Sequence, residues 1–261
     1  MTKDIRKEFL YSMRNSRFLI IAAAFMFLGL LTPIMLKVIL PMIFSSQFPG
    51  MDESMIEQMV DMSQRGSLQG FFNDLFEMGT IIAVFTLCGL LAQELKDNTL
   101  VIPLCSGKSF SHIVSAKMIV FSIIVTASTT AAASVSYLYS GLLFDFDIGY
   151  LPLLQASLLH SLYLIFILSC IIFVGSISSK PIATGLTTLI ISYGTYGIGS
   201  LLDINKWLPS GLIIQTQSLA AGTGTSLDAD FALTIAITSA IIIIFSALSI
   251  VRLRTMEHNR R

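Results

Sequence analysis

Residues 18–44 read FLIIAAAFMFLGLLTPIMLKVILPMIF, and this stretch decides the fold of the chain. Its only charged residue is Lys37. An α-helix needs about 20 mostly apolar residues to cross the hydrocarbon core of a bilayer. The stretch is also longer than the roughly 7–15 apolar residues of a secretory signal peptide. We therefore predict that residues 18–44 form a membrane-spanning helix that is retained in the protein.

Five further apolar segments of similar length follow this stretch. They lie at about residues 71–93, 113–139, 151–177, 181–202 and 230–251. Six spans would occupy most of the 261 residues and leave no room for a separate soluble domain. The sequence therefore predicts an all-α integral membrane protein, with residues 1–261 forming a single transmembrane domain.

The composition favours a bilayer over water as the main solvent of the protein. Hydrophobic residues make up 54% of the chain and charged residues 12%, and the mean hydropathy is +0.80. Soluble domains carry about 25% charged residues. These values argue against a soluble enzyme, a disordered regulator and a nucleic-acid-binding protein.

The basic residues are distributed unevenly between the two sides that six spans define. Thirteen of the 16 lysines and arginines fall on the side that holds both termini. Lysine and arginine concentrate on the cytoplasmic side of membrane proteins. Both termini are therefore predicted to lie in the cytoplasm. The formal net charge of zero then divides into +8 inside and −8 outside.

A short segment that combines apolar and basic residues precedes the first predicted span. In residues 2–16, TKDIRKEFLYSMRNS, the apolar residues Ile5, Phe9, Leu10 and Met13 recur at helical spacing. A basic amphipathic helix of this kind suits the inner leaflet of a membrane. We predict an interfacial helix over residues 2–16. The alternative is a positively charged flank that only sets the topology.

The first predicted outer loop covers residues 45–70. It places several apolar residues on one helical face, with carboxylates on the others: Met51, Met55, Ile56, Met59 and Val60. Methionine packs adaptably and also suits promiscuous binding surfaces. We interpret this face as a small extracellular helix packed on the bundle, and ligand contact is the alternative.

The second predicted span contains two carboxylates near its outer end. Residues 79–92 are too few to cross a bilayer, so the helix must include Asp74 and Glu77. Carboxylates at membrane depth are costly and usually face a cavity. One hypothesis is an acidic mouth on a translocation path, and the other is a solvated helix end. Thr126 and Thr130, in the hydroxyl-rich third span, are expected to serve packing, with a path lining as the alternative.

The chain lacks the motifs of catalysis and of metal binding. Gly107, Lys108 and Ser109 resemble the end of a phosphate-binding loop, but position 102 is isoleucine where that pattern requires glycine. The three histidines lie on separate segments, and the three cysteines lack the spacing of a disulfide framework. We predict no catalytic residue, metal ligand or bound cofactor. His160, in the fourth span, is expected to be a hydrogen-bonded core residue.

The inner segment 92–117, AQELKDNTLVIPLCSGKSFSHIVSAK, is the longest predicted cytoplasmic segment between spans. It is rich in apolar residues that a solvated linker would not need: Leu95, Leu100, Val101, Ile102, Leu104, Phe110, Ile113 and Val114. A short amphipathic helix that docks on a partner would need them.

This segment resembles the second inner segment of ABC type-2 transporter permeases. Members of that family show an acidic pair, then Gly-Thr-Leu, a leucine-rich stretch, a proline-containing turn and Gly-Lys before the third span. Four residues match: Glu94, Thr99, Leu100 and Lys117. Four depart from the pattern: Gln93 at the first acid, Asn98 at the first Gly, Gly107 at Pro and Ala116 at the second Gly. Residues 206–209, Lys-Trp-Leu-Pro, resemble the family's last outer loop, and the overall plan agrees over the whole chain.

The resemblance implies a permease subunit that has no ATPase activity of its own. Two permease chains, identical or paralogous, would pair with two ABC ATPase subunits, which alone would bind ATP and Mg²⁺. Residues 94–112 would act as a coupling helix that ATP-driven dimerisation of the ATPases displaces. The coupling residues would be Glu94, Lys96, Asp97, Thr99, Leu100, Leu104 and Lys108. Gly194 and Gly197 in the glycine-rich fifth span would contribute to the contact between the two permeases.

Small members of the family often export peptides, antibiotics or other amphipathic compounds. The resemblance thus implies export of amphipathic peptides or hydrophobic small molecules from a bacterial cell, with a role in antimicrobial resistance. Asp74, Glu77, Thr126 and Thr130 would line the path. Two alternatives are an integral-membrane lipid-modifying enzyme and a membrane sensor or assembly protein without a transport role.

Overall fold

The computed structural model describes residues 2–47, 60–222 and 229–258. Every regular element in these ranges is a helix, and no strand occurs in them. The prediction of an all-α protein is therefore confirmed. The methionine-rich helical face predicted for the first outer loop lies almost entirely in residues 48–59, outside the described residues.

The first part of the chain folds into one short and two long helical segments. Helix α1 is Thr2–Arg14. The first long segment joins α2 (Arg17–Ile34), a π-helical turn (Met35–Ile39) and α3 (Leu40–Gln47). The second joins α4 (Gln64–Asp74), a π-helical turn (Leu75–Gly79), α5 (Thr80–Leu87) and α6 (Gly89–Lys96).

The rest of the chain adds a short helix and three long ones, with a folded segment before the last. In order they are α7 (Val101–Cys105), α8 (Phe110–Phe144), α9 (Tyr150–Ser178), α10 (Pro181–Leu202), a 3₁₀ turn (Asn205–Trp207), α11 (Gly211–Ala220) and α12 (Ala229–His258). The helix bounds follow local chemistry. For example, Ser179 takes a left-handed backbone that ends α9, and Pro181 opens α10 at the first helical position.

Five helices of the described residues are long and apolar enough to cross a membrane: Arg17–Phe44, Gln64–Lys96, Phe110–Phe144, Tyr150–Ser178 and Asp230–Met256. The fifth predicted span forms the 22-residue helix α10 but is not among these five. Its length of about 33 Å would suffice. Threonine, serine, tyrosine and glycine residues interrupt its apolar residues along the whole length of the helix.

Helix α9 lies at the centre of the bundle. It packs against α8, α10, α11 and α12, and its Tyr163, Leu168 and Cys170 are fully buried. The last helix, α12, has the opposite character, because much of its apolar surface, including Ile243 and Val251, is exposed. Exposed apolar surface of this extent is a liability in water, whereas it is suited to contact with lipid.

Two parts of this architecture differ from the sequence prediction. The second long segment begins at Gln64 rather than at about residue 71, so the first outer loop is shorter than predicted. The segment before α12 is not a simple loop, because α11 buries Leu212 and Ile213 against α9 and α4. Glycine is required at its start, since a Cβ atom on Gly211 would collide with the Asn205 carbonyl oxygen.

The environment of His160 also differs from the prediction. The side chain is fully buried in α9, as expected for a core residue, and packs near Phe72 and Tyr163 with ring centroids 5.8 and 6.2 Å away. Neither ring nitrogen, however, has a hydrogen-bond partner in the part of the chain that the structure describes. The prediction that His160 is hydrogen-bonded is therefore wrong as far as the described residues are concerned.

Candidate functional site

The segment 94–112 and helix α1 lie at the same end of the bundle, which we call the α1 end. A turn at Asn98, with φ of 53°, leads from α6 into α7, and a turn at Gly107, with φ of 80°, leads from α7 toward α8. Left-handed backbone favours glycine and tolerates asparagine. Asn98 thus keeps the conformation of the glycine expected there, whereas Gly107 adopts a φ that proline cannot reach.

A buried lysine joins three elements at this end. The Lys117 ammonium of α8 lies 3.0 Å from a carboxylate oxygen of Glu8 in α1 and 2.8 Å from one of Glu94 in α6. Its side chain is 0% exposed. A charge taken out of water needs charged or hydrogen-bonded partners, and here two carboxylates supply them. The cluster therefore fixes α1, α6 and α8 to one another.

A second ion pair ties α1 to the same segment. The Lys108 ammonium, just before α8, donates a hydrogen bond to the Asp4 carboxylate of α1. This hydrogen bond and the charge of Lys108 hold the pKa of Asp4 below its usual value, although burial acts in the opposite direction. Helix α1 is thus held at two points, one turn apart along its length, by Lys108 of segment 94–112 and by Lys117 of α8.

The seven predicted coupling residues divide into exposed and inward-facing sets. Lys96, Asp97 and Thr99 are exposed at the α1 end. The inward-facing or partly covered residues are Glu94 and Lys108, both in ion pairs, Leu104 and the buried Leu100.

Most of the apolar residues of this segment pack inside the chain. Phe110 and, just beyond the segment, Ile113 and Val114 are buried in the core, and they are therefore not free to bind a partner. Val101 remains 51% exposed. It borders a cavity of about 230 Å³ between the segment and α12, whose other apolar lining includes Leu104 and Met256.

The two carboxylates of the second long segment face different neighbours at the opposite end of the bundle. The half-buried Asp74 accepts a hydrogen bond from the Thr32 hydroxyl of α2 at 2.7 Å. Glu77 is exposed and accepts a hydrogen bond from Asn73 at 3.1 Å, while Tyr193 of α10 donates to its backbone carbonyl at 2.6 Å. A π-helical turn lies at this point, and such turns are frequent at functional sites.

Thr126 and Thr130 are not joined to these carboxylates by any hydrogen bond in the described part of the chain. Both are half-buried in α8, and the Thr130 hydroxyl donates to the Thr126 carbonyl oxygen of its own helix at 2.8 Å. Such back-bonding satisfies a hydroxyl in an apolar helix without a partner from elsewhere.

Gly194 and Gly197 leave an open strip on α10. A Cβ atom added at either glycine would meet nothing within 4 Å. Apolar neighbours on the same helix, including Ile190 and Leu201, are 73% and 87% exposed. The strip is therefore uncovered in the single chain, with space for the close approach of another helix.

Several residues of these sites are not predicted from the sequence. The prediction of a basic amphipathic helix over residues 2–16 assigns no role to Asp4 and Glu8, although with Ser12 they form a polar row at positions i, i+4 and i+8. That spacing is the signal that could have identified a buried polar face. Thr32 gave no comparable signal, because its partner Asp74 lies 42 residues away in the sequence.

Comparison with known proteins adds no family assignment. No protein-family model matches the chain, and no curated protein matches it. The fold alone therefore defines the class: an all-helical protein, compatible with a membrane protein, in which five helices are long and apolar enough to cross a bilayer.

Proposed function

We propose that the chain is the six-span permease subunit of an ATP-driven exporter of the ABC type-2 kind, with both termini in the cytoplasm of a bacterial cell. The observation that carries the proposal is the Lys117 cluster. The cluster connects segment 94–112 to α1 and α8 through ion pairs. A displacement of the segment would therefore be transmitted to these two helices.

The exposed part of the segment supplies the proposed docking surface for the ATPase. Lys96, Asp97 and Thr99 offer polar contacts, and Val101 stands beside the apolar cavity that reaches Met256 of α12. An apolar anchor surrounded by polar groups is the usual anatomy of a protein interface. In this proposal Glu94 and Leu100 transmit the displacement from the inside, while the exposed residues make the contact.

Helix α10 is the fifth span of the proposed permease and brings the total to six, and a second chain packs on it. The open strip at Gly194 and Gly197 allows backbones to approach closely. The exposed Glu77 lies next to α10 through the hydrogen bond from Tyr193. A carboxylate on a lipid-facing surface is costly. A second chain at this face would let Glu77 border a polar path between the subunits for amphipathic peptides or hydrophobic small molecules.

The first test is co-purification of the full chain with an ABC ATPase, followed by assays of ATP hydrolysis and export. Glu94→Gln is the informative variant, because glutamine keeps a hydrogen-bond acceptor for Lys117 and changes the fold little. Export per ATP hydrolysed should fall at least about fivefold, the lower end of typical coupling between sites. Asp203→Asn, an exposed carboxylate at the other end of the bundle, is the matched control.

Two results would count against the proposal. If no ATPase co-purifies with the chain, the exporter hypothesis fails. If an ATPase co-purifies but Glu94→Gln leaves hydrolysis and export at wild-type levels, the coupling role fails.

A panel of peptides and drugs in a substrate-stimulated ATPase assay would define the cargo, because transported compounds accelerate hydrolysis by a coupled exporter.

A further inference from the structure

Helix α1 is amphipathic, and its polar face is turned toward the protein. Asp4, Glu8 and Ser12 are buried against the bundle. Arg6 and Arg14 are displaced by two residues from members of this row, which is about 200° around the helix axis. These arginines are accordingly exposed on the opposite face.

The outward face combines basic and apolar side chains. Phe9 and Leu10 are 46% and 50% exposed. Arg6, Lys7 and Arg14 are exposed beside them. None of these three cations is in an ion pair within the described residues, whereas the acids Asp4 and Glu8 both are.

Two adjoining depressions lie along this face and share Arg6. The first, of about 290 Å³, runs between α1 and α8 and is lined by Ile5, Phe9, Val120 and Ile123 in addition to Arg6. The second, of about 470 Å³, is lined by Arg6, Lys7, Leu10, Tyr11 and Arg14. One depression is thus almost wholly apolar, and the other carries three cations.

We infer that this face is a binding site for an anionic phospholipid of the leaflet at the α1 end. An acyl chain lies along Phe9 and Ile123, and Arg6, Lys7 and Arg14 contact the phosphate and headgroup. Charge complementarity selects this occupant, because the acids of α1 that would repel an anionic lipid are turned inward and neutralised by Lys108 and Lys117. The inference does not depend on the proposed transport function.

Native mass spectrometry of the purified full chain provides the test. The chain is incubated with phosphatidylglycerol and phosphatidylcholine of identical acyl chains, and the ratio of the two bound lipids is measured. The wild type should retain phosphatidylglycerol in preference, and the preference should weaken as salt is added. Because one cation near an anionic lipid surface is worth about fivefold in affinity, the triple variant R6Q/K7Q/R14Q should lose at least about tenfold of the preference.

The matched control is K180Q/R252Q/R254Q, which removes three exposed cations elsewhere on the chain. Its lipid preference should stay within about twofold of the wild type. Arg6→Gln alone should lower the preference by about fivefold, and it serves if the triple variant does not fold. Phe9→Ser should weaken retention of both lipids and leave their ratio unchanged.

Three outcomes would overturn the inference. The first is that the triple variant or Arg6→Gln keeps the wild-type preference. The second is that the control loses the preference to the same extent as the triple variant, since that loss would indicate only the overall charge of the protein. The third is that glycerol phosphate, the soluble headgroup, displaces phosphatidylglycerol at equal concentration, because displacement would indicate a site for free phosphate.

Discussion

Lys117 joins three elements at the α1 end of the bundle. Its ammonium is buried between Glu8 and Glu94, and each of these carboxylates comes from a different element. The sequence matched Lys117 to a family position before the third span, but only the structure gives the physical reason for a lysine there. A buried cation between two acids holds together elements that are far apart in sequence.

Replacing this lysine should therefore destabilise the protein strongly. In Lys117→Met, two partly buried carboxylates lose their counter-ion, and the thermal stability of the purified chain should fall by the equivalent of about 3–5 kcal/mol. The neutral combination K117M/E8Q/E94Q should recover much of that loss, because it leaves no uncompensated charge. Thermal unfolding in detergent measures both variants. Equal stability of Lys117→Met and wild type would disprove the structural role of the cluster.

Asp4 gives a pH-dependent prediction. Lys108 lowers the pKa of Asp4 in the folded chain, so the folded state favours the ionised carboxylate. The stabilisation is present above the pKa of an unfolded aspartate, about 3.9, and is lost as the pH falls through the lower folded value. Wild type should exceed Asp4→Asn in thermal stability at pH 6, and the difference should vanish in strong acid. A difference that grows as the pH falls would contradict this ion pair.

At the scale of elements, the two turns that flank α7 can be tested as a pair. Gly107→Pro introduces the residue expected from the family resemblance, yet the φ of 80° excludes proline and the turn should be disrupted. Asn98→Gly should preserve the other turn, whereas Asn98→Ala should cost about 1–2 kcal/mol because alanine disfavours left-handed backbone. Thermal stability in detergent should rank Asn98→Gly above Asn98→Ala. A stable Gly107→Pro variant would show that this turn has another conformation.

The sequence predicts an element well where the apolar length of the segment is sufficient evidence. It predicts an element poorly where the burial of the segment depends on contacts with distant parts of the chain. Long apolar runs locate the long helices because about 20 apolar residues suffice for a span whatever their order. By contrast, α11 could not be recognised, since its burial depends on α4 and α9. The inward orientation of Asp4 and Glu8 was likewise hidden, because their lysine partners lie more than 100 residues away in the sequence.

For the whole molecule, the number of spans decides the topology. If α10 crosses the bilayer, its two ends at Ser179 and Asp203 lie on opposite sides. Single cysteines at these positions, in a background without the three native cysteines, should differ in labelling by a membrane-impermeant maleimide added to intact cells. We expect Asp203→Cys to be labelled and Ser179→Cys to be protected until the membrane is opened.

The native Cys105 provides an internal control for that experiment, since it is exposed at the α1 end. In a chain that keeps only this cysteine, labelling from outside the cell should be absent. Labelling of both Ser179→Cys and Asp203→Cys from outside would mean that α10 does not cross, and the six-span topology would then be wrong.

The two π-helical turns, Met35–Ile39 and Leu75–Gly79, set a final property of the bundle. A π turn accommodates one residue more than an α turn, and one residue corresponds to about 100° of rotation in an α-helix. The parts of a helix on either side of such a turn are therefore out of phase with an uninterrupted α-helix. Each of these two long segments can thus turn one face toward the bundle before the π turn and a different face after it. A simple hydropathy profile does not record this change.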